Sequence, residues 1–204
     1  MFFLGCCTLF SVQAEQTKNY ADFIKGKQQH QGYFSFYIDD ETGKVFLEIE
    51  NFGQTFLFQS SMPHGIGSND IGLDRGQLGN TRLVRFERVG DKVFLRQLHT
   101  YYRANTDNEL EKQAVDEAFA SSIIWGFKVS QHAKDNSKVL IDYTPFLLSD
   151  IHNISARLKK TKQGSYSVDA TRSGLYKKRS KAFPNNTELE ATVTFKGSNA
   201  GEYL

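Results

Sequence analysis

Cysteine is confined to Cys6 and Cys7, at the very start of the 204-residue chain. Beyond them no disulfide, thiolate zinc site or cysteine nucleophile can form. Proline is scarce, at 3 residues, which excludes a proline-rich linker or stalk. An excess of one charge is also lacking: 25 Lys and Arg against 23 Asp and Glu leave a net +2. Nothing global therefore draws the chain to nucleic acid. No apolar run reaches the roughly 20 residues of a helical membrane span. The usual catalytic signatures are missing as well. The histidines are His30, His64, His99, His132 and His152, no two of them three or four residues apart, and no HExxH occurs. Each is expected on the surface or in a turn. There is no GxSxG elbow and no Walker loop.

What the chain does have is aromatic residues: 17 Phe, 9 Tyr and 1 Trp within a 39% hydrophobic, 24% charged composition. That mixture belongs to a compact chain with a core and not to a disordered one.

Residues 1–14, MFFLGCCTLFSVQA, are apolar, uncharged and end in Val12-Gln13-Ala14, small residues where a signal peptidase reads. They are expected to be a signal peptide, truncated at its basic start, with a buried first strand as the other reading. Export to the periplasm or beyond follows. Phe3-Leu4-Gly5-Cys6 resembles a lipoprotein box, with lipid anchoring as a minor variant of the same location. Residues 15–31 are polar, anchored by Tyr20, Phe23 and Ile24, and are expected to be a lead-in arm or one short helix.

From Tyr33 onward the pattern is β. Aromatic and β-branched runs flank Asp39-Asp40-Glu41-Thr42-Gly43 as a hairpin, and a third run follows at Thr55 to Gln59. The tip acids are expected to form a solvated turn. Arg82 to Glu87 and Lys92 to Leu98 repeat the plan across Val89-Gly90-Asp91. Ile123 to Val129 and Val139 to Tyr143 repeat it again. The segments Lys44-Val45-Phe46-Leu47-Glu48, Lys92-Val93-Phe94-Leu95-Arg96 and Lys138-Val139-Leu140-Ile141-Asp142 are near-copies, 48 and 46 residues apart. Such a period can signal propeller blades, but three copies cannot close a propeller. Meanders in one larger sheet layer are expected. Glu188 to Phe195 alternates like one more half-buried strand.

Helix is scarce. Thr106-Asp107-Asn108-Glu109 has the form of a capping box with Thr106 as N-cap. Leu110, Ala114, Val115, Ala118 and Phe119 then share a face. An amphipathic helix over about 107–122 is expected, its stripe packed on a sheet. A second short helix is expected within Ser149 to Leu158.

Two segments stand out as contact surfaces. The first is His64 to Gly79, a long glycine-rich loop containing Gly72, Asp74, Arg75 and Gln77. Gly65-x-Gly67 lacks the strand and helix that phosphate cradling needs. A loop of this length points to contact with something outside the domain, with Asp74 and Arg75 available for ion pairs that fix it. The second is 157–181, where nine basic residues meet the single acid Asp169. That local excess of eight positive charges leaves the rest of the chain at −6. It reads as a solvated strand pair or a docking face for an acidic partner domain.

Several motifs then occur in a recognisable order. Gly72-Leu73-Asp74-Arg75-Gly76-Gln77 is followed by Leu83 to Gly90 (LVRFERVG), Tyr102-Arg103-Ala104 and Ser122 to Val129. Asp142 to Asp150, Arg172-Ser173 and Phe183-Pro184-Asn185-Asn186-Thr187-Glu188 come next. This series resembles the N-terminal region of bacterial exported zinc-dependent metallopeptidases of the metzincin-like type. The resemblance runs from about Tyr33 to Phe195. It implies a catalytic zinc held further downstream by an extended HExxHxxGxxH motif that is absent here, so no catalytic or metal residue is carried over.

Together these readings predict a mostly β accessory domain over 32–204 that continues beyond Leu204. It is built from antiparallel meanders with one amphipathic helix. It would hold no cofactor of its own and would pack against, or help fold, the protease domain of the same polypeptide. Gly72, Asp74, Arg75 and Gln77 are its candidate contacts. No nucleic acid and no transmembrane segment are expected. The rival reading is a free-standing envelope β-module that binds polysaccharide or peptide through exposed aromatics.

Overall fold

The computed structural model describes residues 19–66 and 69–204. The signal peptide expected over 1–14 lies outside the described residues. The chain begins with helix α1 (Tyr20–Ile24), N-capped by Asn19, whose side chain accepts from the Asp22 N–H at 2.9 Å. Strands β1 (Gln28–His30), β2 (Phe36–Asp39), β3 (Lys44–Ile49) and β4 (Thr55–Phe58) follow. Next come β5 (Arg82–Val89), β6 (Lys92–Gln97), helix α2 (Glu109–Ala118), β7 (Ser122–His132) and β8 (Val139–Asp142). Helices α3 (Thr144–Leu147) and α4 (Ile154–Lys160) lead to short strands β9 (Ser165–Val168) and β10 (Gly174–Leu175). The last are β11 (Lys181–Phe183), β12 (Asn186–Glu188), β13 (Ala191–Thr192) and β14 (Phe195–Ser198).

The fold is mostly β, as the alternation of the sequence requires. The first eight strands form one antiparallel sheet in the order β1-β2-β3-β8-β7-β6-β5-β4. The three near-repeats are β3, β6 and β8 of this single sheet and not blades. Pairing β3 with β8 antiparallel sets the two copies head to tail. The leading Lys of each then meets the closing acid of the other: Lys44–Asp142 at 3.0 Å and Lys138–Glu48 at 3.1 Å.

The sheet curls. Strand β7 carries register shifts against both of its neighbours, and such bulges bend a strand and raise its twist. The curl brings Phe34, at the entry to β2, to 4.8 Å from Phe56 of β4 at the far end of the order. Inside lie Phe36, Ile38, Val45, Leu47, Ile49, Val84, Phe86, Val93, Leu95, Phe127, Val129, Val139 and Ile141. Phe146 of α3 plugs the core against Trp125, Phe127 and Tyr143.

Strand β3 does not alternate: Val45 through Ile49 are all buried. Helix α1 explains this by covering the outer face, where Tyr20, Phe23 and Ile24 pack on Tyr37, Phe46 and Leu140. The segment 15–31 thus contributes more than an arm, since β1 is the edge strand of the sheet.

Helix α2 departs from expectation. It is shorter than 107–122, and Asn108 is the N-cap, its side chain accepting from the Leu110 N–H at 3.0 Å. Thr106 instead accepts from the Asn108 N–H. No α2 residue is buried, and Leu110 is 74% exposed, so the stripe does not pack on the sheet. The connection from β6 to β7 is long enough to swing the helix clear. The second short helix is α4, starting later than expected because Asp150 caps it: its carboxylate accepts from Ile154 and Ser155 N–H. Glu188 to Phe195 breaks into pieces of three separate strands.

Candidate docking face

The loop 62–79 is built from the inside out. Met62, Ile71 and Leu73 are buried against Ile154 and Leu158 of α4, with Ile66, Tyr166 and Phe195 around them. Backbone hydrogen bonds lace its two arms together: Met62 N–H to Gln77 O at 2.9 Å, Gly76 N–H to Met62 O at 2.7 Å and Ile66 N–H to Leu73 O at 2.9 Å. The described parts of the loop thus have an apolar base and a ladder of their own.

The candidate residues divide by role. Gly72 has φ +64, and a Cβ there would lie 2.4 Å from the Arg157 guanidinium. That guanidinium donates from Nε to the carbonyl of Ile71. Glycine therefore lets a cation from α4 approach the loop backbone closely. Asp74 to Gln77 form a turn closed by the Gln77 N–H on the Asp74 carbonyl at 3.2 Å, with Gly76 at φ +82. Arg75 and Gln77 are exposed at its tip.

The expected Asp74 and Arg75 ion pairs do not form: among the described residues neither side chain has a salt bridge. The ladder and the apolar base fix the loop instead. Asp74 keeps one carboxylate oxygen, Oδ1, buried without a hydrogen-bond partner among the described residues.

The loop and the basic stretch meet. Besides Arg157, Arg179 lies 3.1 Å from His64 Nε2 and 3.1 Å from Glu190. Arg172 pairs with Asp169, and Lys177 with Asp40 at the β2–β3 hairpin tip. Lys159, Lys160, Lys162, Lys178 and Lys181 are exposed and have no ion pair among the described residues. The Thr171 hydroxyl and the Arg172 guanidinium, outweighing burial, hold the Asp169 carboxyl down at about 2. His152, half-buried, is held below its ordinary value mainly by burial, against a hydrogen bond that its ring donates to the Ser61 carbonyl and against the nearby Asp150 charge.

No histidine is fully buried, and His152 lies in a turn. Only His64 is exposed; His30 stacks on Phe36 at 4.5 Å and His99 stacks on Phe119 at 5.1 Å. Among the described residues no three His, Cys, Asp or Glu side chains come together to hold a metal ion. No helix among them is long and apolar enough to cross a membrane.

The sequence reading missed one cluster. Glu48, 8% exposed, accepts from the Tyr20 hydroxyl and from the Tyr37 hydroxyl at 3.3 Å, besides its pair with Lys138. Burial first, and then the Glu48 carboxylate, push both tyrosines above their ordinary value, Tyr20 the further. The only sequence signal was an acid closing a repeated strand. This cluster fastens α1 to the sheet.

No curated protein and no solved structure matches the chain. Residues 17–65 match a family described as a domain of unknown function, DUF5118, and residues 76–203 match a second, DUF5117. The border falls in the loop 62–79, yet β1 to β4 of the first segment and β5 to β8 of the second share one sheet. With more than half of its length matched, the chain belongs to the family described as domain of unknown function DUF5117.

Proposed function

We propose that this chain is the non-catalytic N-terminal accessory module of an exported zinc-dependent metallopeptidase, docked on the protease domain of its own polypeptide. The observation that carries the reading is the convergence of loop 62–79 with the 157–181 stretch on one apolar base. The exposed lysines there have no partner among the described residues, and an acidic surface would supply one. The order of motifs shared with such peptidases supports the same reading. Zinc belongs to the downstream domain, and this chain would position or help fold that domain without contributing a ligand.

The test is charge reversal. Arg75→Glu with Lys178→Glu in the full-length protein should lower peptidase activity or folded yield while the module itself unfolds at an unchanged temperature. Unchanged activity and yield would sink the docking role of this face.

A second reading has its own observation. Tyr101 is 90% exposed and Tyr102 58%, the latter stacked 4.2 Å from Phe119. Exposed rings of this kind suit a sugar or a peptide. Binding of a polysaccharide that Tyr101→Ala abolishes would favour a free-standing binding module.

A further inference from the structure

The curled sheet has a gap, and its backbone chemistry is specific. The Leu98 N–H donates to the Leu83 carbonyl at 2.9 Å, so on β5 residues 83 and 85 face β6. Residues 82 and 84 then face β4, where they oppose Phe58 and Phe56. It follows that the N–H and C=O groups of Thr55 and Leu57 point away from the sheet. Strand β4 pairs only with β5, so among the described residues this edge is open.

The opposite lip cannot close it. The Tyr33 N–H already donates to the Phe183 carbonyl at 2.7 Å. The Phe34 N–H donates to Thr187 Oγ1 at 2.9 Å, and that hydroxyl donates to the Phe34 carbonyl at 2.8 Å. The β11–β12 hairpin has thus taken up the backbone groups of this lip.

Between edge and lip lies a cleft of about 210 Å³ lined by Gly32, Tyr33, Phe34, Asn51, Gln54, Phe56 and Pro184. None of these is charged, and from Asn51 to Met62 no residue is charged. Sheet edges are ordinarily protected by Lys, Pro or a bulge, and this one has none of these between residues 51 and 62.

We infer that β4 is a peptide-binding edge: an uncharged, extended segment of another protein adds as a further strand on Thr55 and Leu57. One of its apolar side chains then enters the cleft between Tyr33, Phe34 and Phe56. A charged residue would lose its hydration there with no opposite charge to meet, which selects an uncharged segment. Backbone pairing gives affinity and the cleft gives preference, the pattern of strand addition generally. The site is separate from the docking face and stands without it.

The test uses a labelled, capped peptide of alternating Thr and Val with one central Phe, read by fluorescence anisotropy. Saturable binding is expected. Leu57→Pro removes an outward N–H that the fold does not use, and edge strands tolerate such a proline. It should weaken binding about tenfold, whereas Leu57→Ser should leave it within about twofold. The same peptide N-methylated on its pairing face should bind the unaltered protein about tenfold more weakly. This arm holds even if the proline variant fails to fold. No binding, or binding indifferent to N-methylation, overturns the inference. A dimer in light scattering that Leu57→Pro makes monomeric also overturns it, because the occupant would then be a second copy.

Discussion

Gly72 shows how one residue can join two parts of the molecule. Its positive φ strains any residue with a Cβ, and a Cβ there would also push the Arg157 guanidinium aside. Gly72→Ala should destabilise the chain by about 1–3 kcal/mol, measured by urea unfolding. Arg157→Ala should remove only the part of that penalty that comes from the contact and leave the part that comes from the positive φ. Glu48 is the other residue whose loss is felt at a distance. Glu48→Gln leaves Lys138 without its acid and should cost about 1–3 kcal/mol. Its tyrosine partners set the alkaline limit. Both have folded values raised above the ordinary 10.0, so their stabilisation is complete below pH 10 and is lost as pH rises beyond it. Asp169 acts in the opposite sense. Its value is lowered from 3.8 to about 2, so its contribution is present above 3.8 and lost as pH falls through 2. Unfolding curves across pH should show both arms, and Asp169→Asn should flatten the acid one.

Among the elements, the strands were legible because their alternation survives folding. Where Val84 to Glu87 alternates in sequence, β5 alternates in burial. The helices were less so. The Leu110–Phe119 stripe has the period of a buried face, yet it meets no sheet. Period reports which residues could be buried together, and the long β6–β7 connection decided that these are not. Leu110→Lys on α2 should therefore change stability by no more than about 0.5 kcal/mol. Leu158→Ala on α4, under the loop, should cost about 2–5 kcal/mol. The two short elements differ only in what covers them. The loop 62–79 was singled out for its glycines, but its anchors Ile71 and Leu73 could not be told from loop residues until α4 gave them a partner.

At the scale of the whole molecule, the two family segments cannot be separated. Strands β1 to β3 flank one side of the β8-β7-β6-β5 block and β4 flanks the other. Residues 76–204 expressed alone should lack a cooperative unfolding transition, and adding residues 19–65 in trans should restore one. The sequence disclosed the β class and singled out the two segments, but not that Arg157 and Arg179 bring them together. That junction depends on pairings separated by 86 and 115 positions, beyond the reach of local pattern. The open edge of β4 was hidden for the same reason: an edge is defined by which strands fail to arrive.

The central claim, an accessory module without chemistry of its own, is tested most directly by zinc content and peptide hydrolysis. Both are measured for residues 19–204 alone and for the product of the whole reading frame. The account predicts neither property in the short chain and both in the long one. Stoichiometric zinc or hydrolysis by residues 19–204 alone would contradict it.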